Sequence, residues 1–257
     1  MSIYQHFRPE EKDFIDQAHA WRNEVENSYA PKLTDFLDPR EQKIVSMIIG
    51  QNQPVQYVLS GGTDEAERKR ALLYPDYYQI QENDFQLALL EIDYPKKFIT
   101  IEHPQVLGSL MSLGLARGKF GDIIIKDNRI QLIVCEEMKD YIRLQLDSIG
   151  KAKVQLLEEK WENVLHPEEN WIESSTTISS LRLDTVLAGI YNISRQKAQS
   201  YITQGLTKVN FAVIEQVAFV CEEGDVLSVR GQGRSIVKEI EGKTKKDKWR
   251  VVVGKIK

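Results

Sequence analysis

The cations in the last third of this 257-residue chain stand at spacings that suit the binding of a polyphosphate. Arg182 opens one apolar-periodic stretch, Ser194, Arg195 and Lys197 open a second, Lys208 lies on the extended segment that follows, and Arg230 and Arg234 flank Gly231-Gln232-Gly233. The amino end of a helix offers N–H groups without intrahelical acceptors and the positive end of the backbone dipole, so Ser194 and Arg195 form an anion site that the neighbouring cations extend. Glycines beside Arg230 and Arg234 let the backbone approach a phosphate closely. Arg182 has an alternative, a pairing with Asp184 that merely stabilises the corner between the two helices. Asn210 fits a hairpin turn better than a base contact. Lys243, Lys245, Lys246 and Lys248 fit a second phosphate contact or a solvated hairpin tip equally well.

Charge is segregated along the chain in the same sense. From Leu181 to Lys257 there are 14 lysines and arginines against 8 acids, and before Leu181 there are 20 against 30, so a net charge of -4 conceals a basic tail and an acidic front. A nucleic-acid-facing part carried by a part that avoids phosphate has this signature.

Other chemistries lack their residues. No P-loop, no Gly-x-Gly-x-x-Gly fingerprint and no metal-ligand cluster is present, and His6, His19, His103 and His166 are scattered. Cys135 and Cys221 are far apart and belong to no Cys-x-x-Cys pair, which argues against a disulfide framework or a structural zinc site, and no cofactor is expected. The amino-terminal residues are charged and mixed, and nowhere do about 18 apolar residues follow one another, so a soluble protein of the reducing cytoplasm is expected.

An α+β protein of two or three compact units must position the cations. Residues 1–74 read as a small α/β unit. Pro9 and Glu10 open a helix with Phe14, Ala18, Trp21 and Val25 on one side, and Asp38 caps another that starts at Pro39, carries Glu41 in its first turn and buries Ile44, Val45, Ile48 and Ile49. Val55 to Leu59 then reads as a strand, Gly61-Gly62 as a turn and Asp64 to Leu72 as a short charged helix.

Residues 75–160 alternate as strand (Phe85 to Ile92), helix (Pro104 to Leu113, with His103 as cap), strand (Asp122 to Ile125), strand (Ile130 to Cys135), helix (Met138 to Leu146) and strand (Lys153 to Leu157). This β-α-β-β-α-β order predicts a ferredoxin-like sandwich, the topology of RNA-recognition motifs. Its two central strands carry no aromatic residue, so base stacking on the sheet is not supported. Arg117-Gly118-Lys119-Phe120-Gly121 reads either as two cations offered to a backbone or as a solvated turn.

Residues 161–180 are polar and read as linker, with Trp161 and Trp171 available to pack on a neighbouring domain. In residues 181–257, Ser180 caps a helix with Leu183, Val186, Leu187 and Ile190 on its inner face and Arg182 and Asp184 outside it. Ser194 caps the next, in which Ala198, Tyr201 and Ile202 face inward, Arg195, Lys197 and Gln199 do not, and Gly205 supplies a left-handed exit. Short strands follow at Thr207 to Asn210, Val213 to Ile214, Ala218 to Val220 and Val226 to Val229, and a longer pair flanks the lysine-rich tip.

Arg182-Leu183-Asp184-x-x-Leu187, Ile193-Ser194-Arg195-x-x-Ala198, Ile202-x-x-Gly205-x-x-Lys208-Val209-Asn210 and Gly224-Asp225-Val226-Leu227-Ser228-Val229-Arg230 together resemble the alpha-L motif named after small-subunit ribosomal protein four. In that family, basic residues at the start of the second helix and on the following strand contact RNA phosphates, which implies Arg195, Lys197 and Lys208 here, with Arg182 adding another. With Phe36-Leu37-Asp38-Pro39-Arg40-Glu41-Gln42, Gly61-Gly62-x-x-x-Ala66-Glu67-Arg68 and Ser228-Val229-Arg230-Gly231-x-Gly233-Arg234, the whole chain is similar to the YlmH family. That resemblance implies a non-enzymatic protein that docks on structured ribosomal RNA, of the large subunit and with tRNA as a possible further partner, in translation or ribosome quality control.

Two other functions compete. A scaffold for cell division would use the acidic front to bind a protein partner and the RNA module little. An RNA-modifying enzyme is the third reading, since pseudouridine synthases and tyrosyl-tRNA synthetases carry alpha-L modules; neither synthetase motif is present, and Arg182-Leu183-Asp184 matches the synthase tripeptide only superficially, inside a helix. Replacing Arg195 and Lys208 together by alanine is expected to weaken RNA binding strongly and leave the melting temperature nearly unchanged.

Overall fold

The computed structural model describes residues 7–50, 54–166 and 171–256. His6 and the Pro167-Glu168-Glu169-Asn170 stretch of the expected linker lie outside them. The chain forms two compact units, Met1–Pro167 and Glu168–Lys257.

The first unit opens with α1 (Lys12–Ser28), which buries Ile15, Ala18 and Val25 and sets Phe14 edge-on against Trp21 with ring centres 5.8 Å apart. β1 (Lys32–Leu37) leads into α2 (Pro39–Ile49). Asp38 caps the helix as expected, accepting from the N–H groups of Arg40 and Glu41, and Glu41 accepts in return from the N–H of Asp38 at 2.7 Å, which makes a full capping box. β2 (Val55–Ser60) and β3 (Lys69–Pro75) complete an antiparallel sheet in the order β1-β3-β2.

The charged helix expected at Asp64 to Leu72 is absent. Residues 61–68 are turn and bend, and β3 starts at Lys69. β3 is the central strand, so Ala71, Leu72 and Leu73 are all buried, and a run buried on both faces has lost the alternation that marks a strand. Its charge is satisfied across the sheet: Arg70 donates to the Thr34 carbonyl at 2.7 Å and to the Phe85 carbonyl at 3.1 Å, and Arg68 donates to the Phe36 carbonyl at 3.1 Å.

β4 (Leu87–Asp93), α3 (His103–Ser112), β5 (Phe120–Lys126), β6 (Arg129–Cys135) and α4 (Lys139–Gln145) follow. A two-residue ladder of β7 (Ser148–Ile149) and β8 (Ala152–Lys153) precedes β9 (Gln155–Glu158). The cap of α3 is Glu102 rather than His103, closed by Gln105 accepting from the Glu102 N–H at 2.8 Å. The sheet order β5-β6-β4-β9, antiparallel throughout, is that of the ferredoxin-like sandwich. Asp127 and Asn128, at φ of 50° and 59°, make the β5–β6 turn with the left-handed pair that a tight hairpin requires. The helices cover one face of this sheet, over Ala88, Leu90, Leu132 and Val134.

In the second unit, β10 (Trp171–Ile178) occupies much of the stretch expected to be linker and pairs along its length with the last strand of the chain. Its residues are mostly exposed, as on a polar edge strand, which is why composition alone reads them as loop. α5 (Leu183–Tyr191) and α6 (Arg195–Thr203) form the corner. β11 (Thr207–Val209), β12 (Ala212–Val213), β13 (Val226–Val229), β14 (Gly233–Lys243) and β15 (Trp249–Ile256) complete a sheet ordered β10-β15-β14-β13-β11-β12. Ala218 to Val220, expected as a strand, makes only a single bridge between Val220 and Arg182. The core joins Leu183, Leu187, Ile190, Ala198 and Ile202 of the helices to Val209, Leu227, Val237, Val251 and Val253 of the strands.

Candidate nucleic-acid interface

Arg182 is the backbone N-cap of α5, a place expected for Ser180, whose hydroxyl instead lies 3.2 Å from that of Thr185. Asp184, in the first turn, was expected outside the apolar face and is fully buried. Its carboxylate accepts from Arg182 Nε at 3.2 Å, Arg195 Nε at 2.7 Å, Gln199 Nε2 at 2.9 Å and Thr185 Oγ1 at 3.3 Å. Burial alone would raise its pKa, but the bonds from Gln199, Arg195 and Arg182 outweigh that and hold it at about 2. One buried anion therefore ties both helices together and aims two guanidinium groups, 40% and 53% exposed, from the same corner. The ion pair weighed for Arg182 is thus present, and Gln199 faces inward.

Asn192, left-handed at φ 52°, ends α5, and Ser194 caps α6 by accepting from the Lys197 N–H at 3.2 Å. That bond satisfies one of the first-turn donors; helix geometry leaves the others without an intrahelical acceptor. Arg195 and Lys197 are exposed beside them. Lys197 Nζ sits 5.9 Å from the centre of the Tyr201 ring, and the Tyr201 hydroxyl accepts from Gln232 at 3.4 Å. Gln232 is the middle of the Arg230-to-Arg234 hairpin, whose flanking Gly231 and Gly233 have φ of 79° and 93°. Tyr191 of α5 donates to the Gly233 carbonyl at 3.2 Å, and the Arg230 N–H donates to the Leu206 carbonyl at 2.9 Å. Tyrosines on both helices thereby hold the hairpin against the corner.

On β11, Lys208 pairs with Ser228, which pairs in turn with Arg234. Directly paired residues share a sheet face, so Lys208 and Arg234 stand in one row on the face away from buried Val209, Leu227 and Ser235. Arg234 is half-buried, with its guanidinium 5.2 Å from the Phe211 ring, while Lys208 and Arg230 are exposed. Asn210, at φ 47°, donates to Asp225 at 2.7 Å and accepts from the Val226 N–H at 3.0 Å, so its role is to shape the β11–β12 turn.

The seven residues singled out by sequence thus fall into three linked groups: Arg182 with Arg195, Ser194 with Lys197 beside the Arg230 hairpin, and Lys208 with Arg234. Of the residues that hold them, Asp184 was legible as a partner of Arg182 and Tyr201 as an inward-facing residue, whereas the roles of Gln199, Tyr191 and Phe211 carried no signal in the sequence.

The first unit is arranged differently. The second face of its four-stranded sheet, on which RNA-recognition motifs stack bases, buries Leu89, Ile124, Ile133 and Cys135 beneath Phe36, Val164 and Leu165. Gln131, also buried, donates to Glu91 and to the Asn163 carbonyl at 3.1 Å and accepts from the Leu165 N–H at 2.7 Å, fixing the covering segment. Trp161 packs on Gly62, where an added Cβ would lie 2.4 Å from the indole, and Trp171 packs on Gly254 of its own sheet. Both readings of the Arg117 loop give way to a third: Arg117 donates to the Phe120 and Gly121 carbonyls, and Lys119 reaches Asp35 and Glu137 at 2.8 Å each. Both cations are spent inside the unit.

Asp35, Cys135 and Glu137 are the grouping of potential metal ligands among the described residues. The Lys119 ammonium already bridges the two carboxylates, and burial pushes the Cys135 thiol up to about 11, so the set suits an internal ion-pair network better than a metal. No helix among the described residues is long and apolar enough to cross a membrane.

Residues 10–78 match the family model described as "YlmH, N-terminal", and residues 81–163 match "Putative RNA-binding domain in YlmH". The chain is 48% identical over 249 residues to "Ribosome-associated protein quality control protein P2" of Bacillus subtilis (strain 168), covering 97% of this chain and 96% of that one. A solved structure, "Cell division protein ylmH from Streptococcus pneumoniae", superposes with a TM-score of 0.56 at 34% identity, covering 64% of this chain and all of that one. The chain belongs to the YlmH family.

Proposed function

We propose that this protein is a non-enzymatic, cytoplasmic RNA-binding protein that docks on structured ribosomal RNA, of the large subunit and with tRNA as a further partner, in ribosome-associated quality control. The observation that carries the reading is the Asp184 node, which holds Arg182 at the amino end of α5 and Arg195 at the amino end of α6. Cations held in place by a buried anion lose little entropy when a phosphate arrives, and the open helix end supplies N–H donors to the same ligand. The name of the Bacillus subtilis relative, with which nearly the whole chain aligns, supports the ribosomal setting. The matched RNA-binding domain model supports an added contact from residues 81–163. Such a contact would use loops or helices there, since Phe36, Val164 and Leu165 cover the sheet.

The test is binding of the full-length protein to purified ribosomal subunits over a salt series. Phosphate docking requires log affinity to fall with log salt at about 0.9 per duplex phosphate neutralised. A flat response with intact binding would favour the second reading, a division scaffold acting through the acidic first unit, which the name of the pneumococcal protein supports.

A further inference from the structure

We propose that the lysine-rich hairpin joining β14 and β15 is a second phosphate-binding point for RNA, at the opposite end of β14 from the Arg230 hairpin; the proposal rests on the RNA-docking reading above. β13 pairs with β14 only from Gly233 to Ile236, whereas the β14–β15 ladder continues to Lys243 and Trp249. Beyond β13 the two strands continue with β10 alongside, packed on the core of the unit through Ile240 and Trp249. Register shifts between Val237 and Glu239 and between Ile240 and Gly242 bend them, and Gly242 takes φ 103°, a left-handed-side value that suits glycine.

The tip is an ordered turn rather than a frayed end. The Thr244 N–H donates to the Lys248 carbonyl at 2.7 Å, the Lys248 N–H donates to the Thr244 hydroxyl at 3.2 Å, and the Asp247 N–H donates to the Thr244 carbonyl at 2.9 Å. Beside the turn is an open cleft of about 720 Å³ whose floor reaches Thr177 of β10. The two carboxylates nearby are engaged: Asp247 accepts from Lys243 at 2.7 Å, and Glu241 lies 3.5 Å from Arg250. Lys243 also lies 5.5 Å from the Trp249 ring. Lys245, Lys246 and Lys248 are exposed, and among the described residues no carboxylate pairs with them.

Three ammonium groups held on one short turn without counter-ions repel one another, and an arriving polyanion removes that repulsion. The cleft is wide and mostly lined by charged and polar side chains, which fits a sugar–phosphate backbone lying across it and not an enclosed small molecule. Gly233, at the Arg230 hairpin, and Lys243, at the tip, are the two ends of one 11-residue strand. At about 3.3 Å per residue they stand roughly 30 Å apart, so the two cationic ends cannot share a phosphate. They would grip one folded RNA at two places, and the second contact then forms at the high effective concentration set by the first.

The test is a comparison of full-length wild type, K245A/K246A/K248A, the charge-reversed K245E/K246E/K248E, and K197A/K208A at the corner, binding purified ribosomal subunits and naked structured ribosomal RNA over a salt series. The hairpin alanines are expected to keep the wild-type melting temperature, weaken binding about tenfold or more, and lower the salt slope by about 0.9 for each phosphate no longer neutralised, with reversal weakening it further. Wild-type affinity and slope in both hairpin variants, with weaker binding in K197A/K208A, would overturn the second contact and leave the docking reading intact. Salt-insensitive binding by every protein would instead sink the docking reading itself. Polyglutamate serves as a probe of the other polyanion class: capture of it by wild type and not by K245A/K246A/K248A, with RNA affinity equal in the two, would assign the hairpin to an acidic protein and overturn the proposal.

Discussion

Arg195 Nε lies 2.7 Å from a carboxylate oxygen of Asp184, a side chain with no solvent exposure, so a residue chosen for RNA contact is also a structural partner. Arg195→Ala removes one charged donor from a buried anion that Arg182, Gln199 and Thr185 still hold, and a loss of about 1–2 kcal/mol is expected. The melting temperature of an Arg195 and Lys208 double alanine variant will therefore fall, contrary to the expectation from sequence alone. Urea unfolding of the single variants decides it: the loss should appear with Arg195→Ala and be absent with Lys208→Ala.

The same node sets a pH dependence. The folded pKa of Asp184, about 2, is depressed below its ordinary 3.8, so its stabilisation is fully present above the ordinary value and disappears as pH falls through about 2. The contribution is on the order of 2 kcal/mol. Between about pH 4 and pH 2 wild type should lose stability more steeply than Asp184→Asn, whose side chain does not titrate. Parallel curves in acid urea titrations would refute the assignment. Near neutrality the carboxylate stays ionised, so the placement of Arg182 and Arg195 should not vary with pH.

Local signals were legible in the sequence, and relationships across long separations were not. The Asp38 cap, the Ser194 cap and the Gly205 exit each depend on neighbours within a few residues, and each is present in the structure. Asp184 is buried because Arg195 and Gln199 return to it 11 and 15 residues later, and Lys119 is consumed by Asp35 across 84 residues; neither pairing has a periodic trace. β3 lacks a strand signature because a central strand buried on both faces does not alternate, and β10 resembles linker because an edge strand is allowed to be polar.

Phe36 is 2% exposed and packs so closely that a Cβ on Gly121 would lie 2.6 Å from its ring. Phe36→Ala should cost about 3–5 kcal/mol, the usual penalty for emptying such a site, and Phe36→Leu less. If the covered sheet takes no part in docking, the folded fraction of either variant will bind ribosomal subunits as wild type does. A changed affinity in Phe36→Leu, with its melting curve still cooperative, would show that RNA reaches this face.

Lys208 and Arg234 stand two strand spacings apart on one sheet face, about 10 Å, close enough to meet the same stretch of backbone. Lys208 is exposed, so Lys208→Ala should leave stability within about 0.5 kcal/mol. Arg234→Ala also removes the stacking on Phe211 and should cost about 0.5–1 kcal/mol of stability. Each is expected to reduce the salt slope by about 0.9 if it neutralises its own phosphate. Neighbours that serve a shared phosphate would instead give a double variant whose slope falls by little more than either single one, because the second removal finds the ion already gone. Lys197, placed beside Tyr201 on the helix layer, provides the control: combined with Lys208→Ala its effect should be additive. A double-variant cycle read by salt-dependent binding separates the cases, and additive slopes for Lys208 and Arg234 would mean that the row grips two phosphates rather than one.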